Sequence, residues 1–156
     1  MEYNDLYNTL LKNGLSLSCM ESLTGGLFAS TFTSIPGASK VFKGGVVTYT
    51  NEVKKSFNIK EATLDTFGAI SKECAKEMAI NASIIFNSEC ALSFTGNAGP
   101  DKSEDKDVGL VYIGIKYLNQ LEVYELHLKG ERDEIRKQCV DFAFKTLYEK
   151  LENITL

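Results

Sequence analysis

The sequence holds a single histidine, His127, and that scarcity narrows its chemistry at once. A metal centre built from several histidines of one chain is excluded, and so is any mechanism that needs two of them. Its four cysteines, Cys19, Cys74, Cys90 and Cys139, stand far apart with no Cys-x-x-Cys pair, which removes zinc-ribbon and redox-motif spacing. They read instead as reduced, buried thiols of a cytoplasmic protein. No apolar run is long enough to cross a bilayer. The opening residues carry acids where a secretory signal carries positive charge, so neither membrane insertion nor export is expected. Lys and Arg number 17 against 21 Asp and Glu, for a formal net charge of -4, so the basic surface needed for nucleic acid is also missing. G-x-S-x-G and Walker motifs are absent too.

What the chain does contain is an alternation of helical and extended signals. Tyr3, Leu6, Tyr7, Leu10 and Leu11 fall at helical spacing before Gly14, a suitable helix terminator. "LSLSCM" reads as a short strand, residues 24–33 as a helix, and "GGVVTYT" as a central strand. Asn51 then stands as an N-cap for "EVKKSF", and Ser71 as the cap of a long helix with an apolar stripe from Cys74 to Phe86. "CALSF" is a buried strand; "VGLVYIGIKY" and "LEVYELHL" form a hairpin turning around Asn119 and Gln120, the second strand at an edge. A last helix follows Gly130, with acids in its first turn. One domain over residues 1–156 is expected, an α/β protein built as a three-layer α/β/α sandwich on a mixed β-sheet.

In such sheets ligands sit beyond the carboxyl ends of strands, and three loops qualify: "ESLTGG", "TYTNEVK" and "FTGNAGPDKSEDKD". Ser22 lies on the first, beside Gly25 and Gly26, whose missing Cβ atoms permit close approach of a ligand to the backbone. Amides there suit a phosphate or a developing oxyanion; the plainer alternative makes Ser22 or Thr24 an N-cap. A nucleophilic serine needs a proton acceptor, and without histidine that role falls to a lysine or tyrosine. Tyr49 and Lys54 occupy the second loop, where the positive helix end and partial burial would lower the lysine's pKa. The competing reading places Tyr49 in the core and Lys54 in solvent. Thr95 and Gly96 open the third loop, whose charged "DKSEDKD" reads as a mobile, solvated flap. Arg132 offers a fork of donors to a phosphate, or else pairs with its neighbouring acids.

Taken in order, "ESLTGG", "VTYTNEVK", "GAIS", "TGNAGP" and "GERDEIR" resemble the motifs of the nicotinamide mononucleotide deamidase family, also known as the C-terminal domain of competence/damage-inducible CinA proteins. The resemblance covers nearly the whole chain and has the form of a stand-alone domain. It implies hydrolysis of the carboxamide of a small-molecule pyridine nucleotide, nicotinamide mononucleotide, to nicotinic acid mononucleotide and ammonia, with no metal and no cofactor. On it, Ser22, Tyr49 and Lys54 are the catalytic residues, with Lys54, assisted by Tyr49, taking the serine proton. Thr24, Gly25, Gly26, Asn51, Thr95, Gly96 and Arg132 are the expected substrate-binding set. A homo-oligomer, dimer or larger, is expected on the same basis. The chain departs from the family at Leu23, where cysteine is usual, at Asn97, and at Asp101, Lys102 and Asp107, which replace glycines and a proline. A nucleotide-binding or regulatory module that has lost turnover is the alternative function, and a structural interaction partner a third.

Overall fold

The computed structural model describes residues 2–154. Five strands, β1 (Leu17–Glu21), β2 (Phe42–Val47), β3 (Cys90–Gly96), β4 (Leu110–Tyr117) and β5 (Gln120–His127), form one mixed sheet in the order β2-β1-β3-β4-β5. The first three run parallel, and β4 and β5 add on antiparallel. Six helices accompany them: α1 (Tyr3–Asn13), α2 (Leu27–Thr33), α3 (Asn51–Ser56), α4 (Glu61–Phe67), α5 (Lys72–Phe86) and α6 (Arg132–Glu152). This is the expected α/β sandwich.

Pleating explains how one strand serves two cores. Cys19 packs into a large core with α1, α2 and α6, whereas its neighbour Met20 points into a second core with Cys74, Met78 and Ala82 of α5. Every residue of β1 and all of β3 but Gly96 are buried, so these two strands read as runs, whereas β2 stands at the sheet edge rather than centrally and alternates between half-buried and exposed. In the larger core Phe28 stacks among Phe32, Phe42, Phe94 and Phe144, with centroids 5.0–6.4 Å apart. Burying each such ring contributes about 1.5–3 kcal/mol.

Several sequence expectations shift at element ends. Helix α2 starts at Leu27, not at residue 24, because Gly25 and Gly26 take left-handed φ angles of 57° and 100° that no continuing helix allows. Thr50 rather than Asn51 caps α3, its hydroxyl accepting from the Val53 amide at 3.3 Å. Strand β2 begins at Phe42 and ends at Val47, leaving Thr48, Tyr49 and Thr50 as a connection. The hairpin turns at Leu118 and Asn119, with Gln120 already in β5.

The largest departure concerns residues 101–107. They are exposed apart from half-buried Lys106, as a solvated loop should be, but they are clasped to the fold: the Glu104 carboxylate accepts from the amides of Ala69 and Ile70 at 2.9 and 3.0 Å. Lys106 Nζ donates to the Phe67 carbonyl at 2.9 Å and also to that of Ile70. Charge runs read as solvated when nothing in the local sequence announces their partners, and here the partners lie more than thirty residues away.

Candidate functional site

The parallel ends of β1, β2 and β3 set three loops side by side. Backbone hydrogen bonds carry the sheet one residue beyond its strands, from the Ser22 amide to the Phe94 carbonyl and from the Thr48 amide to the Glu21 carbonyl, both 2.8 Å. Ser22 is thereby tied to β3, and its neighbour Glu21 to the residue that follows β2.

Glu21 does what the plainer reading assigned to Ser22 or Thr24. Its buried carboxylate accepts from the amides of Phe28 and Ala29 at 2.9 and 3.1 Å, satisfying the first turn of α2. The helix end is therefore occupied by the protein's own carboxylate. From the other side Arg136 donates to the carbonyls of Leu23 at 3.0 Å and Thr24 at 3.1 Å. Gly25 lies under that guanidinium, where a Cβ would stand 3.3 Å from Nη2. The Gly25 amide bonds back to the Ser22 carbonyl, whereas those of Leu23 and Thr24 donate to no group among the described residues.

Lys54 comes from α3 and is 1% exposed. Its ammonium donates to Ser22 Oγ at 2.9 Å and to the Thr48 carbonyl at 2.7 Å. Burial lowers its pKa, partly opposed by the nearby Cys74 and Glu104. Cys74 itself is pushed up to about 12, chiefly by burial, so it stands beside the amine as a neutral thiol. A serine hydroxyl touching a desolvated lysine is the arrangement that nucleophilic catalysis with an adjacent base requires.

Tyr49 is placed differently from the core position considered above, since it is 55% exposed. Its phenol accepts from Arg132 Nη2 at 2.9 Å and bonds neither Ser22 nor Lys54. Arg132 also donates from Nη1 to the Gly99 carbonyl, so Tyr49, Arg132 and the third loop form one rim, in place of the pairing with adjacent acids. A cavity of about 690 Å³ lies inside that rim, lined by Ser22, Lys54, Tyr49, Asn51 and Arg132 together with Thr95 and Gly96. Thr95 spends its hydroxyl on the Ala69 carbonyl at 2.7 Å and so shapes the wall. Thr24, Gly25 and Gly26 lie behind Ser22 and do not line the cavity.

A second hollow, about 790 Å³, opens between Tyr3 and Asn4 of α1, the turn at Ser34–Pro36 and α6. In it Asp141 is paired with Tyr3 and with Lys137, and no contact like that between Ser22 and Lys54 is found among its lining residues.

Sequence reasoning passed over Glu21, Glu104 and Lys106, and picked out Arg136 only as a cation near a helix start, without its role. Glu21 stands next to Ser22 and was findable as an acid before a helix start. The other three act across the fold, on backbone atoms that no local pattern identifies.

The family model for the CinA C-terminal domain matches residues 3–151. A protein of Bacillus cytotoxicus named competence-damage inducible protein is 46% identical over 147 residues, 93% of this chain. The same name and identity recur in Bacillus thuringiensis. The chain spans 36% of the length of these Bacillus relatives. Among solved structures, a CinA superfamily protein of Klebsiella pneumoniae superposes with a TM-score of 0.94 at 27% identity, covering 97% of this chain and 96% of its own. The competence/damage inducible protein CihA of Agrobacterium tumefaciens does so with a TM-score of 0.88 at 36% identity, with the same coverage.

Proposed function

This chain belongs to the CinA C-terminal domain family, and from that premise we propose that it hydrolyses the carboxamide of a nicotinamide nucleotide, nicotinamide mononucleotide in the first place. The observation that carries the proposal is the contact between Ser22 Oγ and the buried Lys54 amine. Two functional groups brought together at the bottom of an open cavity, one a weak nucleophile and the other a base with a lowered pKa, are what acyl transfer needs.

In the proposed reaction neutral Lys54 takes the Ser22 proton as Oγ attacks the carboxamide carbon. The tetrahedral oxyanion is met by the uncommitted amide of Leu23, which lines the cavity and whose peptide is polarised from the carbonyl side, the Ser22 carbonyl accepting from the Gly25 amide. A good donor of this kind contributes about 2.7–4 kcal/mol. Lys54 returns the proton to the leaving nitrogen, and ammonia departs, leaving an acyl ester on Ser22. Water then attacks that ester with Lys54 again as base, releasing the carboxylic acid and restoring the serine. Tyr49 takes no direct part in the proton transfer in this scheme. With Arg132 it forms the cavity rim and orients the nucleotide, as Asn51 and Thr95 shape the approach.

The test is ammonia release from nicotinamide mononucleotide by the purified protein, compared with the Ser22→Ala variant. Release that disappears in the variant supports the reading. A thermal shift with the nucleotide and no release would favour a binding module. Undiminished release from Ser22→Ala would remove the serine mechanism.

A further inference from the structure

The loop 101–107 is held to the turn between α4 and α5 by a reciprocal set of contacts. Glu104 accepts from the amides of Ala69 and Ile70, while Lys106 donates to the carbonyls of Phe67 and Ile70 and, at 3.2 Å, to Glu104 itself. Thr95 takes the remaining carbonyl, that of Ala69. Every polar backbone group of Ala69 and Ile70 is thus spoken for by a side chain from another part of the fold.

The clasp closes on Gly68, at φ 83°, where an added Cβ would stand 2.5 Å from Glu104 Oε1 and 3.1 Å from Lys106 Nζ. The tightness has a purpose if the clasped turn must keep one shape. Ala69, Ile70 and Glu104 all line the cavity that contains Ser22 and Lys54. The loop is tied down at its entry as well, Asn97 Nδ2 donating to the Lys106 carbonyl at 3.1 Å.

We infer that Glu104 is a positioning residue for this site: clasped with Lys106 onto the Phe67–Ile70 turn, its carboxylate fixes one wall of the cavity and sets the charge facing Lys54. The kinetic half of this inference rests on the hydrolase reading above; the structural half does not. Burial pushes the Glu104 carboxyl up, but the Ile70 and Ala69 amides and Lys106 outweigh it and hold the group below its ordinary value, so it stays an anion.

The other groups facing Lys54 are few. From α5 comes neutral Cys74, with Glu77 beyond it, and from the rim Asp101, Lys102 and Arg132 share the cavity. Removing the Glu104 charge takes away support for the ammonium form of Lys54, which lowers the pH at which the amine becomes a free base. Removing the Lys106 charge leaves the carboxylate uncompensated and moves that pH upward. The two members of one clasp should therefore displace activity in opposite directions, which loss of packing alone would not do.

The experiment compares wild type, Glu104→Gln and Lys106→Met by NMR-detected hydrogen exchange and by the pH dependence of ammonia release. Exchange at the Ala69 and Ile70 amides should rise about tenfold or more in Glu104→Gln while the Met20 amide is unchanged. The acid limb of kcat/KM should move down by roughly half a pH unit or more in Glu104→Gln and up in Lys106→Met. Unchanged exchange in folded Glu104→Gln overturns the clasp. Faster exchange with both acid limbs unmoved overturns the positioning role and leaves a purely structural contact. If Glu104→Gln fails to fold, the upward displacement in Lys106→Met decides alone. A wild type that releases no ammonia defeats the hydrolase reading, and the clasp is then judged by exchange.

Discussion

Ser22 Oγ and Lys54 Nζ lie 2.9 Å apart across 32 residues of sequence, one on the turn after β1 and the other inside α3. Parallel pairing of β1 with β2 produces the meeting, because it brings the carboxyl ends of both strands, and hence both following turns, to one edge. Burial then lowers the pKa of the amine, as the proposed reaction requires. An exposed lysine at this distance would remain an ammonium at neutral pH and serve only as a hydrogen-bond donor.

Replacing the base tests this directly. Lys54→Met should reduce kcat on the order of 10²–10⁴-fold, the usual contribution of a positioned general base. Steady-state ammonia release measures it, and a variant retaining near-full kcat would show that the proton goes elsewhere.

The lowered pKa of Lys54 has consequences for rate and stability alike. Activity should rise with pH through the native pKa of Lys54, below the ordinary lysine value of 10.5, as the amine becomes neutral. For stability, the unfolded chain binds more protons than the native one between that lowered pKa and 10.5. Unfolding free energy therefore climbs with pH across this window, and the cost of burying the charged amine is fully present below it. Denaturant unfolding at a series of pH values should show this slope in wild type and its loss in Lys54→Met.

Glu21 should matter to folding more than its position beside Ser22 suggests. Glu21→Gln leaves one α2 amide facing a side-chain NH₂ in a fully buried setting, at a cost of about 1.5–3 kcal/mol. Urea unfolding measures the loss. An unchanged midpoint would mean that the first turn of α2 finds other acceptors.

The rim residues should separate from the reacting pair in their kinetics. Tyr49→Phe removes only the oxygen that accepts from Arg132. It should raise KM by several-fold with kcat little altered, the signature of binding lost equally from ground and transition states. Arg132→Met should do the same more strongly. A collapse of kcat in Tyr49→Phe would instead put the phenol into the proton path.

Much of this protein is decided within short stretches of sequence. Gly14 ends α1 and Ser71 caps α5 because each acts on backbone groups within a few residues of itself. The apolar runs of β1 and β3 mark strands, and one histidine with no clustered cysteines limits the chemistry. The ordered motifs "ESLTGG" to "GERDEIR" carry the family on their own.

Tertiary structure alone decided the rest. Which arginine braces the Ser22 turn and which reaches the rim, and whether residues 101–107 float or clasp, all depend on partners tens to more than a hundred residues distant. The same holds for Lys54: its sequence neighbourhood is polar, and only the folded chain around it, with Ser22 and the Thr48 carbonyl against its amine, removes the water. Propensity and spacing act over one or two turns of chain, whereas desolvation and long-range hydrogen bonding exist only once the chain has closed on itself.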